Sequence, residues 1–436
     1  MLCSPTHAHE RIGPGHVLAG RKVYIPPMAY SSARAFVSTL RLLGIEADLT
    51  PPSDARTREL AGKYLTGDEC YPAKVTVGDF LKVIEAPDFD PQHTAFFMPT
   101  AEGPCRFGQY APFMKKLLRD LGYPNTVIIS PTSANSYSDL GNVARTFVRI
   151  AWRALVCGDV LQKFLLKTRP YELEPGATDR AYAAAVDDLC QTIEQGCTEP
   201  RCHLRRLVAA LTRVRDRFRR VPAHYDPERP LIGVVGEIFC RLHTFSNDDM
   251  VRQLESYGAE CWLSDISEWV WYTNAEQVRR LKLEGRIISF AMLANKLRAR
   301  FQRADEHALL APFREDFRGY EEPHDIRELL DLGEPYLPVW GVMGEMVLST
   351  GKAAYLARKG ADGVVDISPF TCMNGIVSEA IYPKLSRDYA GIPIRNFYFD
   401  GTQSDLDRDI GIYLELAHAY RQKKPFPRRY PPCFTV

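Results

Sequence analysis

"DGVVDISPFTCMNG" spans residues 362–375 and carries an apolar run directly into a cysteine. The run predicts a β-strand, and the residues after it predict a turn that leads into a helix. A second stretch, "TAFFMPTAEGPC" at residues 94–105, has the same order of strand and cysteine loop. The recurrence indicates that the chain contains two similar halves.

Each half has the same plan: strand, helix, strand, insertion, strand, cysteine loop, helix, strand. Strands that alternate with helices predict a parallel sheet covered on both faces, with right-handed connections. We therefore predict an α/β fold of two pseudo-repeated parallel-sheet lobes that face each other across a cleft, with a helical segment between them. The predicted strands are 22–27, 46–50, 94–100 and 126–132 in the first half, and 230–239, 259–265, 362–370 and 392–400 in the second.

The length of 436 residues is more than one hydrophobic core usually spans. The predicted divisions are a flexible N-terminal arm (1–20), a first α/β lobe (21–135), a helical segment (136–228) and a second α/β lobe (229–436).

The net charge of +1 gives no global basic field that would attract nucleic acid or an anionic membrane. No apolar run is long enough to cross a membrane, and the N-terminus lacks the apolar region of a signal peptide. Eleven cysteines, an odd number, therefore favour reduced thiols in the cytoplasm over a disulfide scaffold.

Three cysteines share one kind of position. Cys105 and Cys372 each follow a predicted strand at matching places in the two halves, and Cys70 lies in a similar turn before a helix. Open parallel sheets bind ligands beyond the carboxyl ends of their strands, and a helix N-terminus favours a thiolate or an anionic cluster. If the lobes face each other, these thiols converge. Three thiolates leave one iron of a cubane open for substrate, whereas Cys240 as a fourth ligand would close the cluster.

Five motifs in the chain together resemble the benzoyl-CoA reductase/2-hydroxyglutaryl-CoA dehydratase superfamily, in its activase-associated branch. The resemblance covers roughly residues 20–425. The motifs are "GDECYP", "GPCRFGQY", "VGEIFCRLHTFSND", "DISPFTCMNGIVSEAI" and "FDGTQSD".

The resemblance implies two α/β lobes around an oxygen-sensitive [4Fe–4S] cluster held by Cys70, Cys105 and Cys372. It also implies an ATP-hydrolysing activator protein, with an iron–sulfur cluster of its own, that supplies a low-potential electron. The electron would pass to a small substrate such as a CoA thioester, in a dehydratase or reductase reaction. A double-cubane cluster would need more thiols than these three. The chain has no nucleotide-binding signature, which agrees with ATP use by a partner.

Polar residues beside the cysteines are candidates for proton transfer and substrate binding. Glu237 and His243 are the proposed proton donor or acceptor, and Arg106 the proposed contact to cluster sulfides or to an anionic substrate. The structural alternative is that Glu237 pairs with Arg241 to brace its loop. Further candidates at strand ends are Glu102, Asn247, Asp400 and Gln403, and Asp400 is alternatively a helix cap.

Two other functions remain open at this point. The first is a non-catalytic electron-transfer or scaffold subunit with a closed cluster. The second is a metal-free enzyme with Cys105 as its nucleophile beside a helix N-terminus. The sequence leaves open whether the chain forms a homodimer or pairs with a homologous subunit.

Overall fold

The computed structural model describes residues 11–101, 103–130, 137–402 and 405–431. Within these residues the protein is α/β, with two four-stranded sheets whose strand pairs are all parallel. The predicted class of two parallel-sheet α/β lobes is therefore confirmed. The chain divides into two compact units, Met1–Gly158 with Ala183–Val214, and Asp159–Tyr182 with Arg215–Val436.

The first unit contains a sheet of strand order β2-β1-β3-β4. Its strands are β1 (Lys22–Ile25), β2 (Ala47–Leu49), β3 (Thr94–Phe97) and β4 (Val127–Ile129). Its first four helices are α1 (Tyr30–Leu42), α2 (Ala55–Gly62), α3 (Tyr71–Ile84) and α4 (Tyr110–Asp120).

Successive side chains of a strand point to opposite faces of the sheet, and here both faces are apolar and covered by helices. Val23 and Phe97 lie in one hydrophobic core with residues of α1. Phe96 lies in a second core with residues of α2, α3 and α4. Two cores on one sheet explain why β3 is buried at every position rather than at alternate ones.

Three long helices make up most of the predicted segment 136–228. They are α5 (Ala144–Thr168), α6 (Ala177–Glu194) and α7 (Pro200–Phe218). Each crosses a boundary between the two units, so the segment is divided between them. Residues 1–10 of the predicted N-terminal arm lie outside the described residues. Within the rest of the predicted arm, Leu18 is buried in the core of the first unit.

The second unit repeats the strand order of the first, as β6-β5-β7-β8. Its strands are β5 (Leu231–Gly236), β6 (Glu260–Leu263), β7 (Gly363–Pro369) and β8 (Ile394–Phe399). Its helices are α8 (Ile238–Leu242), α9 (Met250–Ser256), α10 (Ser267–Leu283), α11 (Phe290–Leu310), α12 (Ile326–Gly333), α13 (Glu345–Arg358), α14 (Met373–Asp388) and α15 (Leu406–Arg421).

The equal strand order confirms the predicted repeat, and one predicted strand is corrected. Residues 230–239 were expected to form a single strand, but β5 ends at Gly236 and α8 begins two residues later. Gly236 has a φ of 119°, a conformation that few residues other than glycine adopt. The turn at this glycine therefore ends the strand, although the apolar sequence continues.

Candidate functional site

Each of the three candidate cysteines lies at the start of a helix, as the sequence predicts. Cys70 directly precedes α3, Cys372 directly precedes α14, and Cys105 directly precedes a one-turn 3₁₀ helix, Arg106–Gln109, that leads into α4. Cys105 follows β3 and Cys372 follows β7, which occupy the same place in the two sheets. In each sheet the first strand lies between the second and the third, which is where open parallel sheets form ligand crevices.

Two of these loops are neighbours in the first unit. Arg106 donates a hydrogen bond from Nη1 to the carbonyl oxygen of Asp68, over 2.8 Å. The hydroxyl of Tyr110, in the first turn of α4, is hydrogen-bonded to the thiol of Cys70. The loop that carries Cys70 is therefore joined to the loop that carries Cys105. Arg106, a candidate for substrate binding, holds the two loops together.

Cys372 lies in an acidic, buried part of the second unit. Burial raises the pKa of its thiol to about 12, and the nearby carboxylate of Glu237 adds to the effect. The backbone N–H groups of Gly375 and Asn374 oppose it only in part, and Glu345 adds a further negative charge. The thiol is therefore neutral at neutral pH unless a bound cation stabilises the thiolate.

Glu237 begins α8 and acts as its N-cap. Its carboxylate accepts hydrogen bonds from the N–H groups of Phe239 and Cys240, at 3.1 Å and 2.7 Å. Burial raises the pKa of Glu237, although these two hydrogen bonds oppose the shift. The alternative in which the side chains of Glu237 and Arg241 pair is wrong: within the described residues they are joined only through the backbone, where the N–H of Arg241 donates to the carbonyl oxygen of Glu237 over 3.0 Å. Glu237 braces the loop through the backbone instead.

His243 and Cys240 lie in the buried loop that follows. His243 Nδ1 is 2.8 Å from the hydroxyl oxygen of Ser246, and burial lowers the pKa of the ring to about 4. The imidazole is therefore neutral at pH 7 and cannot act there as a charged proton donor. The Cys240 thiol is 3.8 Å from the carbonyl oxygen of Ser246, and Asn247 donates to the carbonyl of Cys240 over 2.8 Å. Cys240, the candidate fourth ligand, is therefore buried and packed within its own loop.

Glu345 belongs to the same acidic region and escaped the sequence analysis. It lies in the first turn of α13 and accepts a hydrogen bond from the backbone N–H of Ile238 over 2.9 Å. Burial, and then the charge of Glu237, raise its pKa well above the ordinary value. An acidic residue in the first turn of a helix was the available signal. Its proximity to Glu237, however, could not be read from local sequence, because the two residues are more than a hundred positions apart.

The remaining candidates give one correction. Asp400 accepts hydrogen bonds from the N–H and hydroxyl groups of Thr402, at 2.8 Å and 2.6 Å. It therefore stabilises a turn, and the residue that caps the following helix is Asp405. Glu102 and Gln403 lie outside the described residues.

Within the described part of the chain, no three His, Cys, Asp or Glu side chains come close enough together to hold a single metal ion. A four-iron cluster spaces its thiolates more widely, because each thiolate binds a different iron. Cys202 is disulfide-bonded, which departs from the expectation that the thiols are reduced. The free thiols are those of Cys70, Cys105, Cys157, Cys190, Cys197, Cys240, Cys261 and Cys372.

Comparison with known proteins finds no protein-family model that matches the chain and no curated protein with a significant match. Among the described residues, no helix combines the length and the apolar character needed to cross a lipid bilayer.

Proposed function

We propose that this chain is the iron–sulfur component of an ATP-dependent reductase or dehydratase system. A separate ATP-hydrolysing activator, with its own cluster, would deliver a low-potential electron. The chain would pass that electron to a small substrate, such as a CoA thioester. The observation that carries the proposal is the equivalent placement of Cys105 and Cys372, each behind the third strand of its sheet and each at the start of a helix.

In this proposal Cys70, Cys105 and Cys372 are the ligands of one [4Fe–4S] cluster. The first unit is compatible with two of these ligands, because the loops of Cys70 and Cys105 are joined by two hydrogen bonds, one from Arg106 to Asp68 and one between Tyr110 and Cys70. When bound, a cluster with three protein ligands would supply electron transfer and one open coordination site.

The protein's own groups have three roles around these thiols. Tyr110 hydrogen-bonds the Cys70 sulfur, and hydrogen bonds to sulfur tune the potential of an iron–sulfur centre. Arg106 fixes the loop geometry through the Asp68 carbonyl. Glu237, whose pKa is raised by burial, would carry a proton beside Cys372. We further propose a cytoplasmic setting, which the free thiols among the described residues support.

The test is anaerobic purification followed by iron and sulfide analysis and by EPR of the reduced protein. We expect brown protein with about four irons per chain. In the Cys240→Ala variant we expect the same iron content and the same spectrum, as for a three-thiol cluster. A changed spectrum in this variant would favour a closed, four-thiol cluster that only transfers electrons. Colourless anaerobic protein without iron would refute the proposal and leave the metal-free thiol enzyme.

A further inference from the structure

The helical hairpin formed by α10 and α11 carries large apolar side chains on its outer surface. Ile288, in the turn between the two helices, is fully exposed, and Phe290 is 86% exposed. Leu283, Ile287 and Leu293 are each more than half exposed. Single exposed apolar residues are common, but a cluster of this kind marks a surface that binds a partner or a membrane.

The polarity of α11 differs from that of an ordinary surface helix, whose apolar residues face the core. The buried residues of α11 include the polar Asn295 and Gln302, and Asn274 of α10 donates a hydrogen bond to Gln302 Oε1 over 3.0 Å. Leu293 and Leu297, four positions apart on one face of α11, are exposed instead. The fold therefore leaves an apolar stripe of this helix in contact with water.

The same hairpin concentrates positive charge. Residues 279–303 contain eight lysines and arginines and a single acidic residue, Glu284, whereas the whole chain has a net charge of +1. The nearest acidic residues outside this range, Glu276 and Asp305, are buried. The positive field of the hairpin is therefore local and is not evident from the charge of the chain.

Three of these cations lie beside the apolar residues. Lys282, Lys296 and Arg300 are exposed, and they form no ion pair within the described residues. Residues three or four positions apart are neighbours on a helix, so Lys296 and Arg300 border Leu293 and Leu297 on the surface of α11. The stripe is therefore apolar at its centre and basic at its edge.

Charge and shape distinguish the partners that could cover this surface. Two copies of the hairpin would bring two clusters of like charge together, and these repel each other. A protein partner would need a pocket for each protruding side chain, whereas lipid acyl chains surround such a side chain without one. Helical surfaces that combine Lys and Arg with exposed Leu and Phe are typical of proteins that bind anionic bilayers.

We propose that the α10–α11 hairpin binds the surface of a membrane that contains anionic lipids. Ile288 and Phe290 enter the boundary between headgroups and acyl chains, while Lys282, Lys296 and Arg300 contact lipid phosphates. The binding is peripheral, so no helix crosses the bilayer. The hairpin lies within the second unit and contains none of the proposed cluster ligands, so the proposal does not depend on iron binding.

The test is co-sedimentation of the whole chain with lipid vesicles. Vesicles of phosphatidylcholine with about 30% phosphatidylglycerol should bind the protein at least about tenfold more tightly than vesicles of phosphatidylcholine alone. Raising the salt concentration from about 0.1 M to about 0.5 M should weaken this binding, because salt screens exposed charges.

The apolar contacts are tested by the double variant Ile288→Ser and Phe290→Ser. It should weaken binding to the anionic vesicles by about tenfold or more. The matched control is Ile412→Ser with Leu416→Ser, which changes two exposed apolar residues of α15 in the same unit and should bind like the wild type. Circular dichroism checks that both variants are folded.

The charged contacts are tested by Lys296→Gln with Arg300→Gln, which should weaken binding by several fold. The proposal is overturned if the wild type does not bind anionic vesicles, a result that would favour an acidic protein partner. Equal binding to both kinds of vesicle, or unchanged binding of the Ile288 and Phe290 double variant, would also overturn it. So would a dimer, seen by sedimentation without vesicles, that this double variant dissociates, because the hairpin would then join two copies of the chain.

Discussion

Cys372 and Cys105 occupy equivalent positions in the two sheets but have different surroundings. Cys372 is buried, with its pKa raised to about 12, whereas Cys105 is only half-buried. A thiol reacts with alkylating agents as its thiolate, so a buried thiol with a high pKa reacts slowly.

This difference predicts an order of alkylation. In metal-free protein treated briefly with iodoacetamide at pH 8, Cys105 should be modified well before Cys372, as measured by peptide mass spectrometry. Cys197, which is also half-buried, serves as a reference for accessibility. Modification of Cys372 at the rate of Cys197 would contradict the described environment.

Asp79 is a buried carboxyl group in α3, the helix that begins after Cys70. It accepts hydrogen bonds from the hydroxyls of Ser53 and Thr57, at 2.6 Å and 2.8 Å. Burial raises its pKa to about 6 in spite of these bonds. Between about pH 4 and pH 6 the folded protein therefore keeps a proton that the unfolded chain has lost, and this contribution to stability disappears as the pH rises through that range.

The change in free energy of unfolding that Asp79 causes between pH 4 and pH 7 should be roughly 2 kcal/mol. Chemical denaturation of Asp79→Asn should show a pH dependence that lacks this fall. Asp120→Asn, at an exposed aspartate of the same unit, should follow the wild type. Equal pH profiles for wild type and Asp79→Asn would contradict the raised pKa.

At the scale of elements, α2 and α3 lie so close together that only glycine fits at one contact. A Cβ atom on Gly78 of α3 would lie 2.1 Å from the carbonyl oxygen of Thr57 in α2. Such a distance is not possible between real atoms, so the two helices would have to move apart.

Gly78→Ala should therefore lower the free energy of unfolding by at least about 2 kcal/mol. Gly62→Ala is the matched control, because a Cβ atom there meets nothing within 4 Å. That control should be neutral or stabilise the protein by about 0.5–1 kcal/mol, through the loss of glycine's freedom in the unfolded chain. Urea denaturation measures both, and an equal effect of the two substitutions would contradict this helix contact.

Elements that depend on the local sequence pattern could be predicted, whereas features that depend on backbone conformation or on distant residues could not. Strand and helix positions follow from local periodicity, as does the placement of Cys70, Cys105 and Cys372 before helices. The end of β5 was missed because an apolar run continues past Gly236, and the turn depends on the φ angle of that glycine. Local pattern could not show this.

At the scale of the whole molecule, the contacts that escaped prediction join distant parts of the chain. Lys352 is 1% exposed at its side chain and pairs with Glu268 and Glu322, and Lys163 pairs with Glu322 as well. In sequence these are ordinary charged residues, and only the fold of the second unit buries them together.

Cys70, Cys105 and Cys372 are the proposed ligands of one cluster. The most direct measurement is the iron content per chain of the wild type and of Cys70→Ser, Cys105→Ser and Cys372→Ser, all purified without oxygen. Cys157→Ser, at a fully buried cysteine of α5, is the control. We predict about four irons per chain in the wild type and the control, and a large loss in each of the other three. Undiminished iron in any of these three variants, or iron-free wild type, would contradict the claim.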